Sequence, residues 1–153
     1  MEKLVQSADE MLRLGTMLGA SLRGGEVIEL IGDVGAGKTT FTKGLALGLG
    51  IVDDVQSPTF TVSRIYPARD DLVLAHYDFY RLNEPGVLKL ELEQAVHDVG
   101  MVTVLEWGDI VEGVLPDDRL QIRFLAQSET DRLVTMTAHG EHAQELVGVL
   151  QAV

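Results

Sequence analysis

The chain has 153 residues, of which 24 are acidic and 12 are basic, so its formal net charge is −12. This charge argues against tight direct binding to a nucleic-acid backbone, because no basic stripe is present to displace counterions, and any link to RNA is expected to pass through a partner. The absence of cysteine excludes disulfides, thiolate metal sites and thiol catalysis.

The length suits one domain spanning residues 1–153. No run of about 18 apolar residues occurs, and the first residues, MEKLVQSADE, carry acids in place of an apolar signal segment. We therefore expect a cytoplasmic protein that does not enter a membrane.

The first predicted elements are a helix, a strand and a second helix. Ser7 and Glu10 have the S-x-x-E form of a capping box, and apolar residues follow at helical spacing. Residues 26–32, EVIELIG, read as a buried strand, and residues 39–50, TTFTKGLALGLG, read as an amphipathic helix ended by glycine.

A glycine-rich loop joins this strand to the second helix and matches G-x-x-x-x-G-K-[ST], the pattern of a phosphate-binding loop. Its fixed positions are filled by Gly32, Gly37, Lys38 and Thr39. Glycines at Gly35 and Gly37 let backbone N–H groups face phosphate oxygens, and the helix adds the positive end of its dipole. In this motif Lys38 reaches the β- and γ-phosphates, Thr39 ligates Mg²⁺, and Thr40 lies beside the α-phosphate.

The remaining segments continue the alternation of strands and helices. TFTVSRIY and LVLAHYDFY read as two strands joined at PARDD, and EPGVLKLELEQAVHD reads as helical. MVTVLEW reads as a buried strand, DRLQIRFL and RLVTMTA as a second strand pair, and GEHAQELVGVLQAV as a closing helix. The pattern predicts an α/β domain with a mixed parallel and antiparallel sheet, and with the loop at the carboxyl end of one strand.

Two carboxylates are candidates for the site. Glu106 ends the apolar strand MVTVLEW, the position from which a neighbouring strand holds Mg²⁺ in this class of site. Trp107, the one tryptophan of the chain, would then lie near the nucleotide or simply in the core. Asp78 lies between aromatic residues within a strand, where a charge is locally unfavourable and therefore suggests a function, although a half-exposed position facing water explains it equally well.

Two further residues are candidates. His76 shares the strand face of Asp78 and Tyr80 and reads as a packing or hydrogen-bonding neighbour, since no second histidine stands at metal-ligand spacing. Thr59 in SPTF follows the loop helix, where nucleotide switches place a threonine that senses the γ-phosphate, and it is the candidate switch residue.

The segments GDVGAGKTTF, SPTFT, HYDFYRL, LEW and LPDDRLQIRF, in this order, resemble the TsaE (YjeE) family of small bacterial ATPases. The resemblance covers nearly the whole chain and implies a P-loop NTPase-like three-layer sandwich. It implies an ATP-binding and ATP-hydrolysing protein that acts with TsaD and TsaB in tRNA threonylcarbamoyladenosine synthesis. The chain would meet tRNA only through that complex, and the isolated chain would be a monomer.

The resemblance also implies site residues. The catalytic residues would be Lys38, Asp78 and Glu106, the Mg²⁺ ligands would be Thr39 and Glu106, and Arg132 would approach the nucleotide, unless it is a solvated surface arginine. The implied nucleotide-binding residues are Gly35, Ala36, Gly37, Lys38, Thr39, Thr40, Trp107 and Arg132.

Three alternative functions differ in the sequence features that they require. A GTPase would need an N-K-x-D guanine reader, which the sequence lacks. A small-molecule kinase would need an acceptor pocket and usually an arginine-rich lid, and the arginines are scattered. A nucleotide-dependent regulator without turnover remains open, because no arginine finger is evident.

Overall fold

The computed structural model describes residues 1–55, 63–80 and 86–152. The strands of these residues are β1 (Glu2–Val5), β2 (Val27–Ile31), β3 (Ser63–Pro67), β4 (Val73–Asp78), β5 (Met101–Glu106), β6 (Arg119–Ala126) and β7 (Arg132–His139). The α-helices are α1 (Ala8–Ser21), α2 (Lys38–Gly48), α3 (Leu88–Val96) and α4 (Glu141–Gln151).

The strands form one seven-stranded sheet in the order β1-β7-β6-β2-β5-β4-β3. β2 pairs in parallel with β5 and β6, and β4 pairs in parallel with β5. The pairs β3–β4, β6–β7 and β1–β7 are antiparallel. The prediction of an α/β fold with a mixed central sheet is confirmed.

Helices cover both faces of this sheet. Apolar side chains of α1, α2 and α4 share one core with β2, β6 and β7, and α3 packs against β4 and β5 in a second core. The sheet therefore lies between two helical layers, as the three-layer prediction requires. Within the described ranges, no helix combines the length and apolar character that a bilayer span demands.

The start of α1 follows the predicted capping box. Ser7 Oγ accepts a hydrogen bond from the Glu10 backbone nitrogen at 3.1 Å. The Glu10 carboxylate accepts one from the Gln6 nitrogen at 2.8 Å, one residue earlier than in the standard box. The bond to Ser7 Oγ satisfies a donor that the first helical turn would otherwise leave unpaired, and the bond from Gln6 holds the residue before the N-cap.

Strand β1 was not predicted. It is a four-residue edge strand in which only Val5 is buried, so its alternation is too brief to stand out. The sheet stabilises it: Leu4 lies opposite Leu133, and the Met1 amino group donates to the Met136 carbonyl oxygen at 3.0 Å.

Helix α2, which follows the glycine-rich loop, packs against α1 backbone to backbone. A Cβ atom added to Gly15 would lie 2.9 Å from the Leu45 nitrogen and closer still to the Phe41 carbonyl oxygen. Gly44 of α2 has the same relation to the backbone of α1, where its Cβ would lie 3.0 Å from the Thr16 nitrogen. Glycines on both helices thus fix the position of α2 against the sheet, and with it the loop.

Candidate functional site

Three parallel strands end at the edge of the sheet where the glycine-rich loop lies. Glu106 at the end of β5 is paired in register with Leu30 of β2 on one side and with Asp78 of β4 on the other. The loop leaves the carboxyl end of β2 one residue after Ile31. The topology therefore brings the two predicted carboxylates to the loop, as expected for a ligand site in an open α/β sheet.

The loop conformation requires its glycines. Gly35 and Gly37 have φ angles of 82° and 109°, in the left-handed region that a side chain disfavours. Gly37 is followed directly by Lys38, the first residue of α2, so Thr39 and Thr40 lie in the first helical turn. The N–H groups of such a turn have no intrahelical acceptors, and the dipole is positive there, which suits an anion.

A cavity of about 450 Å³ opens over this turn. It is lined by Val34, Gly35, Gly37, Lys38, Thr39, Thr40, Asp78, Tyr80, Glu106 and Trp107. Most of the predicted site residues thus share one cavity. Ala36 is buried behind the loop and contributes to the core.

The Lys38 ammonium group is buried within the loop. It donates a hydrogen bond to the Gly32 carbonyl oxygen, lies 3.7 Å from Glu106 Oε1, and stands 4.6 Å from the centroid of the Trp107 ring. An acceptor, a carboxylate and an aromatic face together stabilise the positive charge. The charge thus lies at the floor of the cavity, beside the carboxylate.

Trp107 adopts a backbone conformation that is rare for a bulky residue. Its φ and ψ angles are 58° and 47°, in the left-handed region, and strain of this kind collects at functional sites. Its ring is 4.9 Å from the ring of Tyr80, which is half exposed. The sequence assigns Tyr80 no role, although its two-residue spacing from Asp78 places both side chains on the same strand face.

Glu106 and Asp78 are both buried, which excludes the alternative that Asp78 is half exposed and faces water. Asp78 is 7% exposed, and its Oδ1 accepts a hydrogen bond from the Tyr80 nitrogen at 3.0 Å. Glu106 Oε2 lies 2.9 Å from Nε2 of His76, which confirms His76 as a hydrogen-bonding neighbour.

Tyr77 lies between His76 and Asp78 in β4, but its side chain is on the other face of the sheet, in the core shared with α3. Burial, and then the nearby Glu91 carboxylate, raise the pKa of Tyr77. Its hydroxyl, 3.4 Å from Glu91 Oε1, stays protonated at neutral pH and faces away from the cavity. Tyr77 is therefore a packing residue.

A second cavity of about 380 Å³ adjoins the first and shares Gly35, Gly37 and Thr40 with it. Its other lining residues are Gln6, Ser7, Ala8, Met11, Glu129, Thr130 and Arg132. The Arg132 guanidinium donates to the carbonyl oxygens of Ser128 at 2.9 Å and of Gly35 at 3.4 Å. Arg132 therefore connects the β6–β7 turn to the glycine-rich loop.

Among the described residues that line the cavity, the side-chain groups able to ligate a cation are oxygen atoms. No group of three or more histidine or acidic side chains in the described part of the chain is arranged to hold a metal ion. A cation here would combine Glu106 with the Thr39 hydroxyl and with ligand oxygens, a hard donor set that suits Mg²⁺. Thr59, the predicted switch residue, lies outside the described residues.

Comparisons with known proteins extend over the whole of this architecture. The family model described as "Threonylcarbamoyl adenosine biosynthesis protein TsaE" matches residues 5–134. A Bacillus subtilis protein named tRNA threonylcarbamoyladenosine biosynthesis protein TsaE is 40% identical over 139 residues, which cover 90% of this chain and 85% of that protein. A Streptomyces coelicolor protein of the same name is 42% identical over 139 residues, covering 86% and 92% of the two chains.

The fold agrees with these sequences. The crystal structure of Bacillus subtilis YdiB superposes with a TM-score of 0.85 at 35% identity, covering 99% of this chain and 94% of that one. Sequence and fold therefore lead to one conclusion, that this chain belongs to the TsaE family.

Proposed function

We propose that this chain binds and hydrolyses ATP, with Mg²⁺, as a component of the machinery that makes threonylcarbamoyladenosine in tRNA. The observation that carries the proposal is the cavity in which Lys38 and the first turn of α2 face Asp78 and Glu106 from neighbouring strand ends. Relatives named as tRNA threonylcarbamoyladenosine biosynthesis proteins support the biological setting.

Each side chain has a role that its chemistry supports. The backbone N–H groups of the loop and of the α2 N-terminus bind phosphate oxygens, and Lys38 contacts the β- and γ-phosphates. Thr39 and Glu106 supply oxygen ligands to Mg²⁺, which provides positive charge against the phosphate oxygens when bound. Asp78 accepts a hydrogen bond from the attacking water and orients it.

The two adjoining cavities support a nucleotide over a lone phosphate. A triphosphate bound in the first cavity would extend past Gly37 and Thr40 toward the second cavity. There the base would meet Met11 and Arg132. Met11 supplies apolar surface and the Arg132 guanidinium a planar cation, both suited to an aromatic base. No guanine-reading N-K-x-D is present in the sequence, which favours adenine.

The proposal includes partners, TsaD and TsaB. Within the described residues the cavity holds one cation, Lys38, and we infer that the isolated chain hydrolyses ATP slowly because little else neutralises charge on the γ-phosphate side. Assembly with the partners would complete the site. The cytoplasmic location and the monomeric state of the isolated chain stay predictions.

Binding of ATP to the isolated chain is the first test. Trp107 is the one tryptophan and lines the cavity, so its fluorescence reports on occupancy during titration with ATP in Mg²⁺. Lys38→Ala should weaken binding about 10- to 100-fold, since a hydrogen bond to a charged group contributes about 1.5–3 kcal/mol. The matched control is Lys89→Ala, at an exposed position of α3.

Wild-type and Lys89→Ala proteins should bind alike. Equal affinity in wild type and Lys38→Ala would contradict the proposed site.

A further inference from the structure

A histidine is buried directly against the Glu106 carboxylate. His76 is 1% exposed, and its Nε2 atom lies 2.9 Å from Glu106 Oε2. His76 precedes Asp78 by two residues in β4, so it lies on the same face of the sheet but deeper, away from the cavity lining. Among the residues that the structure describes, His76 does not line the cavity, and its side-chain hydrogen-bond partner is Glu106.

The two nitrogen atoms of the imidazole are in different situations. An ionised carboxylate only accepts hydrogen bonds, so Nε2 must carry the proton of the His76–Glu106 bond. Nδ1 is buried and has no hydrogen-bond partner among the residues that the structure describes. Burying a polar atom without a partner costs stability, a cost that an apolar side chain at this position would avoid.

The bond to His76 fixes the orientation of the Glu106 carboxylate. Oε2 is occupied by Nε2 of His76, and Oε1 is the oxygen on the loop side, 3.7 Å from Lys38 Nζ. Without His76, the carboxylate could rotate and share both oxygens with Lys38. The histidine thus leaves one defined oxygen directed at the loop.

We propose that His76 is a positioning residue that keeps Glu106 Oε1 on the loop side, where this oxygen would serve as a ligand to the Mg²⁺ proposed to bind with Thr39. This inference rests on the proposed Mg²⁺-dependent ATP site. It assigns to His76 the part that outer-sphere hydrogen-bonding residues play at metal sites, where their loss typically weakens metal affinity about 10- to 100-fold.

Two amide substitutions of similar polarity test the proposal. The amide nitrogen of glutamine reaches about as far as Nε2, whereas that of asparagine reaches only as far as Nδ1. ATP affinity is measured with and without Mg²⁺, and the ratio gives the enhancement by the cation. His76→Gln should keep this enhancement within about 3-fold of wild type, and His76→Asn should lose about 10-fold or more of it.

Two controls separate positioning from packing. His97→Asn, at an exposed position just after α3, should leave the enhancement unchanged. In a Glu106→Gln background, His76→Asn should have no further effect on the enhancement, because the residue acts only through the carboxylate. An equal effect in both backgrounds, or wild-type enhancement in the Asn variant, would overturn the proposal.

A spectroscopic measurement on wild-type protein covers the case in which the Asn variant does not fold. Nitrogen NMR of the imidazole should show the His76 proton on Nε2, with a shift that changes in Glu106→Gln. An unprotonated Nε2 would overturn the proposal. Absence of Mg²⁺-enhanced ATP binding in wild type would instead refute the proposed function, so the two failures are distinguishable.

Discussion

Asp78 is the residue whose surroundings most directly suggest a part in turnover. It lines the cavity, is 7% exposed, and stands next to Glu106 across the β4–β5 pair. Its Oδ1 accepts from the Tyr80 backbone nitrogen, which holds the carboxylate at the rim. We assign Glu106 to Mg²⁺ as an oxygen ligand. Asp78, the other acidic side chain of the cavity, is then the residue that we assign to the attacking water.

We expect Asp78→Asn to keep the fold and to keep ATP affinity within a few-fold. The amide still fits the site and accepts the Tyr80 hydrogen bond, but it cannot take a proton. Hydrolysis in the presence of TsaD and TsaB should fall by about 10²-fold or more, the usual range for losing a positioned proton acceptor. A wild-type rate in this variant would assign Asp78 a structural role only.

Local sequence patterns and the family resemblance predicted most of the residues that line this cavity, but not their contacts. The loop motif and the strand-end position of Glu106 are local patterns, so a sequence reveals them. The left-handed backbone of Trp107, after β5, and the position of its ring over Lys38, at the start of α2, are not visible in these patterns. Such contacts join distant segments, and no periodicity encodes them.

At the scale of elements, the α1–α2 pair determines where the loop lies. The Arg69 guanidinium reinforces this pair at its far end. It donates to the carbonyl oxygens of Gly19 in the last turn of α1, of Leu22 directly after α1, and of Gly48 at the end of α2. A positive charge at two helix C-termini is favourable toward both dipoles. The glycines of α1 and α2 allow the two helices to pack closely, and Arg69 caps the C-terminal ends of both helices.

Two glycine-to-alanine substitutions test this packing. Gly15→Ala should destabilise the fold by about 1–3 kcal/mol, because the new methyl group meets rigid backbone of α2. Gly148→Ala is the matched control in α4, where an added Cβ meets nothing within 4 Å. It should stabilise the protein by about 0.5–1 kcal/mol through helix propensity.

The measurement is urea unfolding of both variants. A Gly15→Ala protein as stable as Gly148→Ala would show that the two helices do not depend on this contact.

Prediction of the helices and strands succeeded where the segment that carries the hydrophobic pattern was long enough. The helices α1 to α4 and the strands β2 to β7 followed from helical patterns, alternating hydrophobicity or short apolar runs. The edge strand β1 and the capping role of Arg69 did not, because both depend on partners distant in the sequence: β7 for the strand, and the ends of α1 and α2 for the arginine.

At the scale of the whole molecule, charge limits how the protein can act on tRNA. A net charge of −12 with few lysines opposes direct contact with a phosphate backbone. On the proposed function, the chain would act on tRNA through partners and would contribute the energy of ATP hydrolysis. The proposed function differs from that of a kinase in the phosphoryl acceptor, because a kinase would transfer the phosphoryl group to a molecule other than water.

The central claim is that ATP hydrolysis by this chain depends on assembly with TsaD and TsaB. The direct measurement is the steady-state release of inorganic phosphate from ATP by the purified chain, alone and with both partners, with Lys38→Ala as the inactive control. We predict slow release by the chain alone, a clear increase when both partners are present, and recovery of the γ-phosphate as inorganic phosphate. Fast release without partners, no increase with them, or recovery of the γ-phosphate on another molecule would contradict the account.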